Sequence, residues 1–314
     1  MTSPRQLGTS DLHVFPLALG GNVFGWTADA AQSFAVLDAY AAAGGNFVDT
    51  ADLYSAWAPG NEGGESETVI GDWLAARGNR DDIVVATKVG AHPQYKGLSA
   101  TTIKAAAEAS LRRLRTDHID LYYTHFDDPE VPVEEIITAL DQLVKEGKVR
   151  AIAASNLTAA RLQESLDFSA REGLASYVAL QPHYNLVSRD TYEGELQKTA
   201  ERAGLAAVPY FALASGFLTG KYRPGVTIDS ARAEGAQEHL ETERGRAVLA
   251  ALDTIAQERG AEIATVALAW LAARPTVVAP IASARTVEQL PALLALAELE
   301  LTEEERATLT AASE

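Results

Sequence analysis

Residues 46–54 read N-F-V-D-T-A-D-L-Y, and the candidate site is organised around this stretch. A short β-branched and aromatic run ends at Asp49, and Tyr54 follows after a short loop. If residues 46–49 form a buried parallel strand, Asp49 lies at its carboxyl end and Tyr54 lies in the loop above, where parallel α/β folds place their sites. The stretch therefore predicts an acid and a phenol in one pocket. The alternative is that Asp49 caps a turn and Tyr54 is ordinary packing.

Two later apolar runs end in the same manner. The run at 83–87 is followed by Lys88, and the run at 119–124 is followed by His125. Because the carboxyl ends of parallel barrel strands meet at one rim, we expect Asp49, Lys88 and His125 to lie close together. An unpaired ammonium is rarely buried, so Lys88 is expected to have a charged partner.

Apolar strands alternate with helical patterns along the chain, which is typical of βαβ units. The predicted helices cover residues 29–43, 65–77, 101–115, 133–146, 158–170, 189–203, 243–258, 263–273 and 303–312. The predicted strands lie near Leu17, Phe47, Val84, Leu121, Ile152, Val178, Ala206 and Val277. Eight strands without a linker rich in Pro, Gly or Ser predict one α/β domain over residues 1–314. Its expected form is a single (β/α)8 TIM barrel with an N-terminal β-hairpin at residues 6–14 and extra helices near the C-terminus.

The motifs at the strand ends occur together, in this order, in a known family. They are D-T-A-x-x-Y at 49–54, T-K at 87–88, L-Y-x-x-H-x-x-D at 121–128, S-N at 155–156, Q-x-x-Y-N-L at 181–186 and A-S-G-x-L-T-G-K-Y at 214–222. By these motifs the chain resembles the aldo-keto reductase family over nearly its whole length. The resemblance implies the same barrel, carbonyl reduction with a nicotinamide cofactor, and Asp49, Tyr54, Lys88 and His125 as the catalytic residues.

Composition narrows the classes of partner. The 314 residues are 47% hydrophobic and carry 26 basic and 43 acidic side chains, for a net charge of −17. This charge disfavours nucleic acid and anionic membrane surfaces as partners. Cysteine is absent, which excludes disulfides and thiolate sites, and the histidine spacing predicts no metal site. The chain shows no leader pattern and no apolar run near the ~20 residues of a membrane span, so we expect a cytoplasmic protein.

The four side chains suit carbonyl reduction, which needs a hydride at carbon and a proton at oxygen. A phenol has an ordinary pKa near ~10, and a neighbouring ammonium favours its charged form and lowers that pKa. We therefore expect Tyr54 to donate the proton, Lys88 to tune it, and Asp49 to keep Lys88 charged. His125 is expected to donate a hydrogen bond to the substrate oxygen, with a satisfied core histidine as the alternative.

A hydride donor must be bound, yet the usual dinucleotide fingerprint is missing, because residues 20–25 read G-G-N-V-F-G. A barrel can instead bind phosphates at the loops after its last strands. The candidate cofactor residues are Gly21, Ser155, Asn156, Gln181, Tyr210, Phe211, Leu213, Ser215, Gly216, Lys221, Ala282, Ser283, Arg285 and Gln289.

Four of these candidates are assigned to the nicotinamide, an assignment that the family resemblance also implies. Ser155, Asn156 and Gln181 are expected to hydrogen-bond its amide, and Tyr210 to stack on its ring. Arg285 suits bidentate contact with the adenosine 2′-phosphate, which predicts NADPH in preference to NADH. The family pattern is not followed at Phe211, Ser283 and Leu293, so the strictness of that preference is left open.

The substrate pocket and the functional class are less constrained. Trp26 and Trp57 follow the first two strands and are predicted to wall a pocket for a small-molecule carbonyl substrate, with ordinary packing as the alternative. Residues 218–237 are long for a loop and predict a lid or a variable insertion. Two other functions stay open: a regulatory subunit of this fold that binds NADPH with little turnover, and an aldolase that uses Lys88 as a Schiff-base nucleophile. The oligomeric state is not predicted.

Overall fold

The computed structural model describes residues 3–226, 228 and 233–314. Its strands are β1 (Arg5–Gln6), β2 (His13–Val14), β3 (Ala18–Gly20), β4 (Phe47–Asp49), β5 (Val84–Val89), β6 (Ala91–His92), β7 (Tyr95–Lys96), β8 (Ile119–Thr124), β9 (Val149–Ser155), β10 (Tyr177–Gln181), β11 (Ala206–Ala207) and β12 (Ile281–Ala282). Strands β3, β4, β5 and β8 to β12 form one parallel sheet, while β1–β2 and β6–β7 are separate antiparallel pairs.

The helices surround this sheet. They are α1 (Ala30–Ala42), α2 (Glu65–Arg77), α3 (Ala100–Leu114), α4 (Val133–Lys145), α5 (Ala159–Glu172), α6 (Glu195–Arg202), α7 (Ala233–Glu241), α8 (Glu243–Arg259), α9 (Ile263–Ala272), α10 (Leu290–Leu294) and α11 (Glu303–Ala312). Among the helices whose first turns are described, five start at a side-chain cap that accepts the amide three residues on: Asp29, Ser99, Thr158, Thr242 and Thr302. The predicted bounds of these five helices agree with the structure to within two residues. No helix in the described ranges is both long and apolar enough to cross a membrane.

The eight-stranded sheet runs in the order β11-β10-β9-β8-β5-β4-β3-β12, and its two ends are joined. The Ala207 amide donates to the Thr276 carbonyl at 2.8 Å, and the Val278 amide donates to the Ala207 carbonyl at 2.9 Å. The Ile281 amide adds a bond to the Pro209 carbonyl at 2.9 Å. These bonds close the (β/α)8 barrel, so the predicted fold class is confirmed.

Successive side chains of a strand point to opposite faces of the sheet, so the buried hydrophobic residues form two separate clusters. One fills the space between strands and helices, and the other fills the barrel interior. The interior cluster includes Phe47, Ala86, Leu121, Ala153 and Ala179. The predicted N-terminal hairpin, β1–β2, closes the amino end of the barrel by placing Leu7, Leu12 and Val14 in the same cluster. Its turn passes so close to β10 that a side chain at Gly8 would collide with the Val178 carbonyl.

Three local predictions differ from the structure. The helix predicted from residue 189 begins at Glu195, because Gly194 has a φ of +111°, which an α-helix does not tolerate. The last strand is Ile281–Ala282, whereas Val277 forms a single parallel bridge with Ala207. The short hairpin β6–β7 was not predicted.

The segment predicted as a lid, residues 218–237, is described in part. It begins inside a 3-10 helix, Ala214–Thr219, and it ends within α7. Residues 227 and 229–232 of this segment lie outside the described part of the chain. The lid therefore stays a prediction.

Candidate active site

The last inward-facing side chains of the barrel strands lie together at one rim, at the carboxyl ends of the strands. Side chains alternate along a strand, so Asp49 shares the inward face of Phe47, and Lys88 shares that of Ala86. Asp49 is paired in register with Ala86 of the neighbouring strand, which puts Lys88 one inward position beyond it. Asp49 and Lys88 therefore lie directly above the apolar interior of the barrel.

Lys88 is bonded to three acceptors at this rim. Its Nζ lies 2.7 Å from Asp49 Oδ2, 2.7 Å from the Thr50 carbonyl and 3.0 Å from Tyr54 Oη. The Tyr54 hydroxyl lies 3.3 Å from Asp49 Oδ2. Lys88 and Asp49 are fully buried, whereas Tyr54 is half-buried. The predicted group of acid, ammonium and phenol is thus present, with all three ammonium hydrogens directed to acceptors.

Burial and charge act on Lys88 in opposite directions. Burial lowers the pKa of Lys88 from its ordinary value, and the Asp49 carboxylate opposes this shift. The more distant Glu67 carboxylate opposes it further. The ammonium is therefore a stronger acid than an exposed lysine, and it depends on Asp49 for its charge.

His125 lies beside Tyr54, with ring centroids 6.1 Å apart. Burial, assisted by the Lys88 ammonium, lowers the pKa of His125 to about 3, so its ring is neutral near pH 7. Its Nδ1 has no hydrogen-bond partner among the described residues. The ring stacks on Phe126, with centroids 4.7 Å apart and planes 12° apart. Stacking on Phe126 therefore contributes to the orientation of the imidazole.

A second polar network joins the next strand ends to Asp49. Gln181 Nε2 donates to Asp49 Oδ1 at 2.8 Å, and Ser155 Oγ donates to the Gln181 carbonyl at 2.9 Å. Asn156 Nδ2 donates to the His125 carbonyl at 2.8 Å, and Tyr210 Oη donates to Asn156 Oδ1 at 2.8 Å. These amide and hydroxyl groups are thus held in fixed positions around the pocket.

These groups line one cavity of about 750 Å³ at the carboxyl end of the barrel. Of the predicted site residues, its lining contains Trp26, Asp49, Tyr54, Trp57, His125, Ser155, Asn156, Gln181, Tyr210, Phe211, Leu213, Ser215, Gly216, Lys221, Ala282, Ser283, Arg285 and Gln289. Lys88 is buried behind Asp49 and Tyr54. Phe126 also lines the cavity and was not predicted, although it directly follows His125 in the motif.

Gly21 is the predicted cofactor residue that the structure places elsewhere. Its amide donates to the Asp49 carbonyl at 2.7 Å, and its own carbonyl accepts from Ser66 Oγ at 2.8 Å. Its neighbours Gly20 and Asn22 line the cavity, whereas Gly21 does not. Gly21 supports the strand end that carries Asp49 and does not line the cavity.

The far part of the cavity is shaped by backbone in unusual conformations. Asn156, Phe211 and Ser215 all have left-handed φ values, of 54°, 52° and 57°. Such residues carry strain and cluster at functional sites. The strained 3-10 helix Ala214–Thr219 follows β11, at the phosphate-binding position of many barrels. Gly216 lies within it and also has a positive φ.

Two cations lie in this part of the cavity lining. Lys221 is exposed, and Arg285 is exposed with no ion-pair partner among the residues that the structure describes. Gln289 Oε1 accepts the Arg285 amide at 2.8 Å, and Ser283 Oγ donates to Asn22 Oδ1 at 2.7 Å. The lining thus combines neutral hydrogen-bonding groups near Tyr54 with cations suited to phosphates.

Asp52 is a buried acid behind the pocket that sequence reasoning did not assign. It is fully buried, and its amide lies 3.3 Å from the Lys88 carbonyl. Burial, followed by the nearby Glu67 carboxylate, raises the pKa of Asp52 to about 8. The positive charges of Arg113 and Lys88 and the Leu53 amide oppose this shift. Asp52 is therefore expected to be protonated at neutral pH beneath the loop that carries Tyr54.

We expect Asp52→Asn to stabilise the protein at pH 8 more than at pH 4. The unfolded carboxyl ionises near pH 4, while the folded carboxyl holds its proton until about pH 8. The stability that the Asp52 carboxyl contributes to the wild type is therefore fully present below pH 4 and is lost as the pH rises to 8. An asparagine at this position has no proton to release, so the variant does not undergo this loss. At pH 8, the free energy of unfolding of the variant should exceed that of the wild type by on the order of 2–5 kcal/mol, as measured by urea denaturation.

The matched control is Asp72→Asn, which removes a half-exposed carboxylate paired with Arg115. It should leave the slope of stability against pH close to that of the wild type, because exposed ion pairs contribute little. Equal slopes in the Asp52→Asn variant and the wild type would refute a protonated Asp52.

Comparison with known proteins identifies the family of the chain. The model of the aldo/keto reductase family matches residues 16–314. The chain is 34% identical to norsolorinic acid reductase stcV of Emericella nidulans, with 94% of this chain and 77% of that protein covered. It is 33% identical to the aryl-alcohol dehydrogenase [NADP(+)] of Phanerodontia chrysosporium, with 96% and 83% covered. It is 35% identical to the uncharacterized oxidoreductase YrpG of Bacillus subtilis, with 95% and 92% covered. The chain therefore belongs to the aldo/keto reductase family and is an oxidoreductase that acts on carbonyl groups.

Proposed function

We propose that the protein reduces aldehydes and ketones to alcohols with NADPH and that Tyr54 donates the proton. The observation that carries this proposal is the position of Lys88 Nζ, 2.7 Å from Asp49 Oδ2 and 3.0 Å from Tyr54 Oη. A phenol that gives up its proton becomes an anion, and an ammonium at this distance stabilises that anion. Asp49 holds the ammonium in place and keeps it charged.

His125 orients the substrate in this proposal. A neutral imidazole carries one N–H, which can donate to the carbonyl oxygen as negative charge develops there. Burial and Lys88 keep the ring neutral, since its pKa is about 3. Because the Tyr54 and His125 rings are adjacent, one carbonyl oxygen can contact both groups. The oxygen would then accept two hydrogen bonds, one of which delivers the proton.

The lining of the cavity supports NADPH as the cofactor, which when bound supplies the hydride. Ser155, Asn156 and Gln181 would hold the nicotinamide amide, and Tyr210 would stack on the ring. Lys221 and Arg285 would hold phosphate groups, with the strained segment at 214–219 providing backbone amides. The relative from Phanerodontia chrysosporium, whose name includes NADP(+), agrees with this choice.

The direct test is oxidation of NADPH in the presence of 4-nitrobenzaldehyde, with NADPH binding measured separately. Turnover supports the reductase mechanism. Binding without turnover would favour the regulatory subunit, and the absence of both would contradict the cofactor assignment. An aldolase based on Lys88 is disfavoured, because its Nζ is fully buried and already bonded to three acceptors.

We expect Arg285→Ala to weaken NADPH binding by roughly 10- to 100-fold and to leave NADH binding unchanged. Charge-assisted hydrogen bonds contribute about 1.5–3 kcal/mol, and the lost contact would be with the 2′-phosphate, which NADH lacks. Dissociation constants from quenching of intrinsic fluorescence measure both effects. Arg306→Ala, at an exposed arginine outside the cavity lining, is the matched control and should alter neither constant. Equal losses for NADPH and NADH would exclude the 2′-phosphate contact.

A further inference from the structure

Five aromatic rings form a continuous row along the wall of the cavity. The successive centroid distances are 5.5 Å for Trp26–Trp57, 6.0 Å for Trp57–Tyr54, 6.1 Å for Tyr54–His125 and 4.7 Å for His125–Phe126. Tyr54 and His125, the two groups proposed to contact the substrate oxygen, are adjacent within this row. Trp57 therefore flanks the oxygen site on the Tyr54 side, and Phe126 flanks it on the His125 side.

Both flanking rings are exposed to an unusual degree. Trp57 is 46% exposed and Phe126 is 49% exposed, and both line the cavity. A third exposed ring in the lining is Phe211, at 48%. The other large exposed hydrophobic residues of the described chain, Val226 and Val287, lie outside the lining. Exposed aromatic surface concentrated in one cavity is typical of a site that binds an apolar ligand.

The row itself offers no charge to a substrate. His125 is neutral, and the indole, phenol and phenyl groups carry none. The cations of the lining, Lys221 and Arg285, follow β11 and β12, whereas the rings follow β3, β4 and β8. The Asp49 carboxylate is already paired with Lys88. An uncharged substrate therefore suits the row better than a carboxylate or an amine.

We propose that the preferred substrates are uncharged ketones that carry an apolar, preferably aromatic, group on each side of the carbonyl. One group would cover Trp57 and the other would cover Phe126, with the oxygen between Tyr54 and His125. An aldehyde has only hydrogen on one side of its carbonyl and leaves one of the two flanking rings exposed. This inference rests on the proposed function, because it places the substrate oxygen at Tyr54 and His125.

The test compares benzil, in which each carbonyl carries a phenyl group on one side and a benzoyl group on the other, with 4-nitrobenzaldehyde, which has one ring. Trp57→Ala and Phe126→Ala should each lower kcat/KM for benzil roughly tenfold, since each removes the apolar contact of one arm. For the aldehyde, only one of the two variants should lower kcat/KM, because a single ring covers a single flank. Comparing each variant with the wild type on the same substrate cancels the intrinsic reactivity of the two compounds.

Two control variants separate contact with the substrate from indirect effects. Phe126→Leu keeps an apolar wall and should retain most of the benzil activity. Phe34→Ala truncates a half-buried phenylalanine on α1, outside the cavity lining, and should leave kcat/KM unchanged for both substrates. Equal losses for both substrates in both Trp57→Ala and Phe126→Ala would mean that the two rings act only by orienting Tyr54 and His125, and the proposal would be wrong.

The wild type distinguishes failure of this inference from failure of the proposed function. Turnover of 4-nitrobenzaldehyde without turnover of benzil would overturn the ketone preference and leave the reductase mechanism intact. The absence of NADPH oxidation with either compound would overturn the proposed function and this inference together.

Discussion

Tyr54→Phe is expected to lower kcat for reduction of 4-nitrobenzaldehyde by about 10²- to 10⁴-fold, the range for loss of a general acid. The substitution removes only the hydroxyl that lies 3.0 Å from Lys88 Nζ and keeps the ring that contacts Trp57 and His125. Binding of NADPH should therefore stay within about twofold of the wild type, because no proposed cofactor contact is lost. Single-turnover oxidation of NADPH, followed by its absorbance, measures the chemical step directly.

Tyr95→Phe provides the control for removal of a phenolic hydroxyl. Tyr95 lies in the β6–β7 hairpin and is not part of the cavity lining, so its variant should keep full activity. A Tyr54→Phe variant with unchanged kcat would exclude Tyr54 as the proton donor. Full cofactor binding without turnover in both wild type and variant would instead favour the regulatory subunit.

Lys88→Met is expected to lower the free energy of unfolding by about 3–5 kcal/mol and to abolish most activity. Removing one partner of a buried ion pair leaves the other charge buried and unpaired, and here Asp49 and the Thr50 carbonyl would both lose the Lys88 ammonium as a hydrogen-bond donor. The phenolate of Tyr54 would also lose the ammonium that stabilises it. Urea denaturation measures the first effect, and oxidation of NADPH measures the second.

The double variant Lys88→Met with Asp49→Asn separates stability from chemistry. An asparagine at position 49 carries no charge and still offers an oxygen to the Gln181 amide, so much of the lost stability should return while activity stays low. Arg80→Met breaks a pair with the buried Asp120 at the opposite end of the barrel and should reduce stability with little effect on kcat. A Lys88→Met variant as stable as the wild type would show that the ion pair between Lys88 and Asp49 does not contribute the expected free energy of unfolding.

Much of the fold could be predicted because its signals are local. The caps at Asp29, Ser99 and Thr302 determine where three helices begin, since each side chain competes only for amides one turn away. The errors arose where local pattern is ambiguous. The apolar run near Val277 suggests a strand, but strand pairing with β3 begins only at Ile281, a choice made by closure of the barrel.

The sequence predicted the contacts of Lys88 with Asp49 and Tyr54, but not the hydrogen bond that joins Gln181 to Asp49. The strand ends at Asp49, Lys88 and His125 are visible in the sequence, and the structure brings them to one rim. Gly21 also follows a strand, yet its backbone is used internally by Asp49 and Ser66. In sequence, a glycine-rich turn that contacts a ligand looks the same as one whose backbone bonds only to the rest of the protein. Only the packed structure distinguishes the two.

The sequence by itself determined the class of the protein, because alternating strands and helices and the ionisable residues at strand ends depend on short-range order. Only the tertiary structure decided which of these groups touch. Gln181 and Asp49 are separated by 132 positions and meet at 2.8 Å because the barrel closes, and Asp52 holds its proton because packing removes water from it. The row of rings from Trp26 to Phe126 likewise exists only where three strand ends converge. Distances across a closed barrel and the exclusion of water are properties of the whole packing, which no local pattern encodes.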